Sequence, residues 1–433
     1  MSAPGKSGNN AGDNAGSNAG SNAGGGMLEG VKVIDLTSVV IGPLCTQILA
    51  DHGAEVIKVE SLEGDVGRFL GGRGKTPGMA PKFLHLNRNK RSICLNLKTP
   101  QGHAALLRLL GDADVMTWNV RPDSMARMKL SYDEVRAVKP DIIYCGMFGF
   151  GQKGRYAKKA AYDPVVQGSA GVAGLIAKAH GEPRFLPYVL ADRTGGLIAV
   201  QMIAMALFKR ERSGRGKGGQ SIEVPMFENM ATQVLTEHLY NRTYVPAAGE
   251  APGEPGDPRL ISPYYTPAKT ADGYFSLSAN TNAQVFPLFD AIGRPELKTD
   301  ARFNTVATRF ANTAAYFALR AEGMKQHSTA WWLDYCDRHD IPAAPYHTLE
   351  SLIDDPHLAD VGFIQQRQHP TEGAILDLAP ANTLTGGARR DWLPAAHLGE
   401  HTEVILREAG YADAEIAAMI AAGAARQHQT PAR

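Results

Sequence analysis

The chain has 433 residues, 44% of them hydrophobic and 21% charged, with 45 basic against 44 acidic side chains. That length exceeds one comfortable hydrophobic core, so two or three domains are expected. The even charge balance removes any global pull toward nucleic acid or a membrane surface, so an anionic ligand must be met by local basic residues.

Residues 1–26 are Gly, Asn, Ala and Ser with almost nothing apolar. Such a segment cannot offset its ordering entropy and lacks the charged start and apolar centre of a signal peptide, so a disordered tail is expected there. From Val31 the pattern changes. VKVIDL reads as a buried strand, GPLCTQILADHG as a helix ending at Gly53, and AEVIKVE as a second strand. SICLNL is a strand, Thr99-Pro100 caps a helix to about Gly111, and DVMTWNV is another strand. YDEVRAVK is helical, DIIYCGMFGF returns to strand, and a long helix is expected from about Thr194 to Arg212 before the strand SIEVPMF. Strands separated by helical crossovers predict an α/β fold with a doubly wound parallel sheet, whose ligands lie at the carboxyl ends of the strands.

A Pro/Gly-rich linker at 246–258 leads to a less regular region and then to alanine-rich final helices. The expected domains are a large one over 27–224, a linker and smaller domain over 225–348, and a C-terminal segment, 349–433. The longest apolar stretch, Gly195 to Phe208, is shorter than the roughly 20 residues needed to cross a bilayer, so no membrane span is expected.

Several constellations bear on chemistry. The cysteines (Cys45, Cys94, Cys145, Cys336) form no CxxC pair and have no His at metal spacing, which argues against a zinc site and a disulfide framework and fits a reducing cytoplasm. The turn TSVVIGP after the first strand has one glycine, against the several that a dinucleotide-binding turn needs. Basic residues cluster in NRNKRS (Arg88, Lys90, Arg91), at Lys98, and in NVRPDSMARMK (Arg121, Arg127, Lys129). A lone run of this kind is usually a solvated face. Here Lys98 follows one predicted strand and Asn119 to Arg127 follow the next, where fixed cations suit a ligand with more than one phosphate. Asp192 closes a short apolar run before two glycines and a long helix, which puts its carboxylate near free backbone N–H groups. An N-cap and a catalytic carboxylate both fit that position. There is no G-x-S-x-G elbow, no H-E-x-x-H and no P-loop.

The blocks LEGVKVIDLT, GPLCTQILADHGAEVIKVE, NRNKRSICLNLKTPQG, NVRPDSMARM, AYDPVVQGSAG, LADRTGG and ALFKRERSGRGKGGQSIEVPMFE occur in one order over most of residues 28–230. Together they resemble the class III coenzyme A transferases. The resemblance implies a large Rossmann-like domain built from both chain ends, a smaller α+β domain, and an interlocked homodimer. It implies no tightly bound cofactor and no metal, with coenzyme A and acyl-CoA as substrates. The Asp of LADRTGG assigns the nucleophile to Asp192. With an ordinary pKa near 4 it would be ionised at neutral pH and need no general base. Gly195 and Gly196 become candidate oxyanion donors. Coenzyme A contacts carry over to Val40 and Ile41, to Leu95, Asn96, Leu97 and Lys98, to Asn119, Val120 and Arg127, and to Tyr162. Formyl-CoA transferase has a glutamine where Val40 stands, and its tetraglycine loop has no counterpart in the proline-rich stretch 246–262. The related α-methylacyl-CoA racemases carry a His where this chain has Tyr162, and a phenol with a pKa near 10 is a poor proton shuttle at neutral pH. A non-catalytic CoA-binding protein is the remaining alternative. Small dicarboxylates such as succinate are common family substrates, which makes succinyl-CoA a candidate donor.

Overall fold

The structure is a computed structural model that describes residues 26–214, 216–245, 253–382, 385 and 391–429. The expected tail, apart from Gly26, and the linker over 246–252 lie outside the described residues.

The first half alternates as the apolar periodicity requires. β1 (Lys32–Leu36), α1 (Ile41–Asp51), β2 (Glu55–Glu60), α2 (Pro81–Asn87) and β3 (Lys90–Leu95) are followed by α3 (Pro100–Leu110) and β4 (Val115–Trp118). Thr99 caps α3 by accepting the Gly102 N–H at 3.1 Å, with Pro100 in the first helical position where its missing donor costs nothing. Next come α4 (Pro122–Arg127), α5 (Tyr132–Val138) and β5 (Ile143–Phe148). Two short helices, α6 (Asp163–Ser169) and α7 (Val172–His180), precede the long α8 (Leu190–Ser213), β6 (Gln220–Pro225) and α9 (Met226–His238). α8 thus starts four residues before the expected Thr194, and β6 yields to helix directly at Met226.

A three-stranded antiparallel sheet follows, made of β7 (Ala268–Lys269), β8 (Tyr274–Leu277) and, later in the chain, β9 (Ala343–Pro345). Helices α10 (Asn282–Ala291), α11 (Val306–Ala311), α12 (Thr313–Met324) and α13 (Thr329–Arg338) lie between β8 and β9. This unit has its own core, in which Phe275, Phe289, Phe303 and Trp332 are buried together. α9 does not join it: Met226 and Met230 pack into the core of the large sheet, so the small core begins beyond the expected boundary at 225. After α14 (Leu349–Ile353) and α15 (Pro356–Asp360), β10 (Ile364–His369) and β11 (Gly373–Leu378) form a hairpin. α16 (Thr402–Glu408), α17 (Asp413–Ala421) and β12 (Ala425–Arg426) complete the described chain.

The large sheet has the order β12-β3-β2-β1-β4-β5-β6, parallel throughout except for β12, which pairs antiparallel with β3. Helices cover both faces, as an all-buried parallel sheet demands. One core joins α1, α8 and α9 to the sheet through Cys45, Leu49, Ile203, Leu207 and Met226; the other joins α3, α16 and α17 through Leu106, Leu110, Ile405 and Ile416. The strand order reverses between β1 and β4, and a doubly wound sheet places its ligand crevice outside the carboxyl ends of those two strands.

Candidate active site

At that reversal point the loop after β1 meets the loop after β4. The Asn119 side chain accepts the Ser38 N–H at 2.9 Å and donates to the Ser38 carbonyl at 2.9 Å, so one amide clamps the two loops together. Thr37 folds back on the buried Asp35, whose carboxylate accepts the Thr37 N–H at 2.9 Å. Val40 then caps α1 and Ile41 opens it, both buried. Val40, Leu44 and Leu86 form a small apolar cluster with Val189, the residue just before α8. The start of α8 is thereby seated on the start of α1.

Asp192 stands in the first turn of α8, two residues inside its beginning; Val189 holds the N-cap position, which corrects the N-cap alternative for Asp192. The donors expected beside it are already taken. Asp163 Oδ2 accepts the Ala191 N–H at 2.7 Å and the Asp192 N–H at 3.2 Å, while the Arg193 N–H donates to the Val189 carbonyl at 3.0 Å. Gly195 and Gly196 lie inside the helix, where their N–H groups belong to the helical ladder. They are therefore not oxyanion donors, and their smallness has a different use. A Cβ on Gly196 would lie 2.7 Å from the Ile41 carbonyl oxygen, and one on Gly195 would lie 2.7 Å from Ile41 Cδ1. The glycines let α8 approach the backbone of α1.

Among the described residues the half-buried Asp192 carboxylate has no hydrogen-bond or ion-pair partner. Burial raises its pKa to about 6, the nearby Asp163 carboxylate pushes the same way, and Lys82 and Arg193 oppose them. The ordinary value expected from sequence is corrected upward, because a carboxylate charge loses hydration in this crevice. Asp163 is itself buried and held by Gln167, whose Nε2 donates to Asp163 Oδ1 at 2.5 Å and to the Tyr188 carbonyl at 3.0 Å.

The remaining candidates are spread along the carboxyl edge of the sheet. Leu95 ends β3 opposite Ala425, and Asn96 donates to the Gly423 carbonyl at 3.3 Å while accepting the Lys98 N–H at 3.2 Å. Leu97 and Val120 are partly buried against the second core. Lys98 is exposed, and so is Arg127, which ends α4 and donates to Ser124 Oγ at 2.8 Å. Tyr162 precedes α6 with its ring largely in solvent. The fold thus brings Val40, Ile41, Asn119 and Asp192 to the reversal point, with Leu95 to Lys98 two strands away.

The basic run NRNKRS contributes no free cation to the crevice. Arg88 pairs with Asp51 at 2.7 Å and Asp377 at 3.1 Å, Lys90 with Asp35 at 3.3 Å, and Arg91 with Glu55 at 2.9 Å and Glu408 at 2.7 Å. Sequence reasoning missed Asp163 and Lys82. Asp163 had a signal of a sort, an Asp-Pro pair at a helix start, but the helix it caps lies 28 residues on. Among the described residues no group of three His, Cys, Asp or Glu side chains could hold a metal ion.

The doubly wound sheet, with a carboxylate at its reversal point that is unpaired among the described residues, defines an α/β protein of the crevice type. The model of CoA-transferase family III matches residues 28–402, and the chain belongs to that family. It is similar to the succinyl-CoA:glutarate CoA-transferase of Mus musculus, at 30% identity over 93% of this chain and 91% of that protein. It is also similar to the acetyl-CoA:oxalate CoA-transferase of Acetobacter aceti, at 35% identity over 77% of this chain and 84% of that one. The crystal structure of a CAIB/BAIF family protein from Brucella suis superimposes with a TM-score of 0.73 at 32% identity, covering 89% of this chain and all of that one.

Proposed function

We propose that this enzyme moves coenzyme A from an acyl-CoA to a second carboxylic acid, with Asp192 as the covalent nucleophile. The observation that carries this reading is a half-buried carboxylate, free of partners among the described residues, at the crevice of a class III CoA-transferase fold. One Asp192 oxygen attacks the thioester carbon, the carbon–sulfur bond breaks, and CoA leaves as the thiolate with an aspartyl-acyl anhydride behind it. The thiolate then attacks the aspartyl carbonyl, expelling the donor acid as a carboxylate and leaving an aspartyl-CoA thioester. An incoming carboxylate reverses both steps. Thioester energy is conserved, and the burial that raises the pKa of Asp192 also strips water from the nucleophile, whose anion is the dominant form at pH 7.5.

The exposed cations Lys98 and Arg127 suit the phosphates of the CoA moiety, and Val40 and Ile41 supply an apolar wall beside Asp192. The Asn119 amide is committed to Ser38, so in this reading it shapes the crevice. The relatives' names make succinyl-CoA the donor to test first. A homodimer, interlocked as in related enzymes, is supported by the outer face of α8, where Leu197, Met205 and Phe208 are exposed on a helix whose other face is core. Four buried free thiols fit the reducing cytoplasm.

The test incubates the enzyme with succinyl-CoA and a panel of carboxylic acids, following new CoA esters by mass spectrometry, and repeats it with Asp192→Ala. Transfer is expected to fall at least about 1,000-fold in the variant. Hydroxylamine trapped at position 192 during turnover is the direct signature, and retained turnover in Asp192→Ala would falsify the assignment.

A further inference from the structure

Val39 adopts φ +70°, a left-handed conformation that a β-branched side chain rarely tolerates. Such a residue persists only where its surroundings over-determine it, at a cost of roughly 1–3 kcal/mol. Two buried side chains fix this turn. Asp65 Oδ1 accepts the Val39 N–H at 3.0 Å and the Gly67 N–H at 2.7 Å. Asp65 Oδ2 pairs at 2.9 Å with Lys58 Nζ, which donates to the Thr37 carbonyl at 2.8 Å. One ion pair, with both side chains almost wholly buried, therefore grips the backbone on either side of Ser38, whose own N–H and carbonyl are held by Asn119.

The residues that follow are the ones on which α8 rests. Val40 packs with Val189, and the Ile41 carbonyl sits where a Cβ on Gly196 would lie 2.7 Å away. A turn that relaxed at Val39 would move both, and the first turn of α8 with them.

We propose that Asp65, through its ion pair with Lys58, is a positioning residue that holds Val39 in the left-handed conformation and so seats Val40 and Ile41 beneath the turn bearing Asp192. This rests on Asp192 being the nucleophile. Asp65 touches no reacting atom in this scheme. Losing its charge breaks the ion pair that holds the Thr37 side of the turn and weakens the acceptor on the Val39 side, and a nucleophile displaced by about 1 Å loses up to about 100-fold in rate.

The test uses the full-length enzyme with Asp65→Asn, which keeps the side-chain shape and removes the charge, and Asp65→Glu, which keeps the charge and moves the acceptor by one methylene. With each, kcat for CoA transfer is expected to drop about 10- to 100-fold. Adding Val39→Gly to Asp65→Asn removes the penalty on the left-handed turn, and kcat should recover to within about threefold of the parent. Amide exchange at residues 39–41 should quicken in Asp65→Asn, independently of any chemistry at Asp192. An unchanged kcat in folded Asp65→Asn and Asp65→Glu, or a loss that Val39→Gly does not restore, overturns the proposal. If instead Asp192→Ala retains turnover, the functional reading fails while the exchange result still reports on the turn.

Discussion

Asp192, the proposed nucleophile, carries a charge that is costly where it sits. Burial comes first among the causes of its raised pKa and the Asp163 carboxylate second. In the proposed mechanism only the ionised form attacks, so kcat/KM is expected to fall as the pH drops through about 6. An acid limb near 4 would mean that the carboxylate is better hydrated than its surroundings imply. The neighbours set the direction of further shifts. Asp163→Asn removes a like charge and should move the limb to lower pH, while Lys82→Met removes an opposing cation and should move it to higher pH. A pH–rate profile of the two variants showing both limbs displaced the same way would contradict this electrostatic account. Asp163→Asn retains an acceptor for the Ala191 N–H, so its melting temperature should change by only a few degrees.

At the scale of elements, the crossing of α8 over α1 depends on having no side chain where the two backbones meet. Gly196 faces a carbonyl oxygen of Ile41, which cannot turn aside without moving α1, whereas Gly195 faces the flexible tip of the Ile41 side chain. Gly196→Ala is therefore expected to destabilise the fold by about 1–3 kcal/mol and to lower kcat, with Gly195→Ala less harmful on both counts. Equal effects in urea unfolding and turnover would show that the backbone approach is not what these glycines serve. α8 also has the length and apolar composition to cross a bilayer, yet Ala199, Ile203, Ala206 and Leu207 on one side of it are core. The sequence predicts its start four residues late, at Thr194, because Val189 carries no capping side chain and the cap arrives from Asp163 in another helix.

For the whole molecule, the apolar outer face of α8 calls for a cover, and a second copy of the chain is the proposed one. Sedimentation should give a dimer at micromolar concentration, and Phe208→Asp should shift it toward monomer, since an exposed ring would become a charge inside the interface. A monomeric wild-type enzyme would leave that face unexplained.

The alternation of β-branched runs with amphipathic stretches determined the parallel sheet, and β1, α1 and β2 fall within two residues of their expected bounds because strand and helix periods are local properties. The ordered blocks around Asp192 pointed to its family in the same local way. Only the tertiary structure decided which charges are free. Arg88 and Arg91 stand in a basic run of the kind that is usually a solvated face, but Arg88 is buried, and Asp377 and Glu408, hundreds of residues away, pair with the two. Asp163 likewise takes the donors expected at the start of α8, and two glycines read as oxyanion partners are spacers between helices. Each correction has one cause: hydration and ion pairing depend on what surrounds a group in space, and a run of neighbours along the chain does not contain that information.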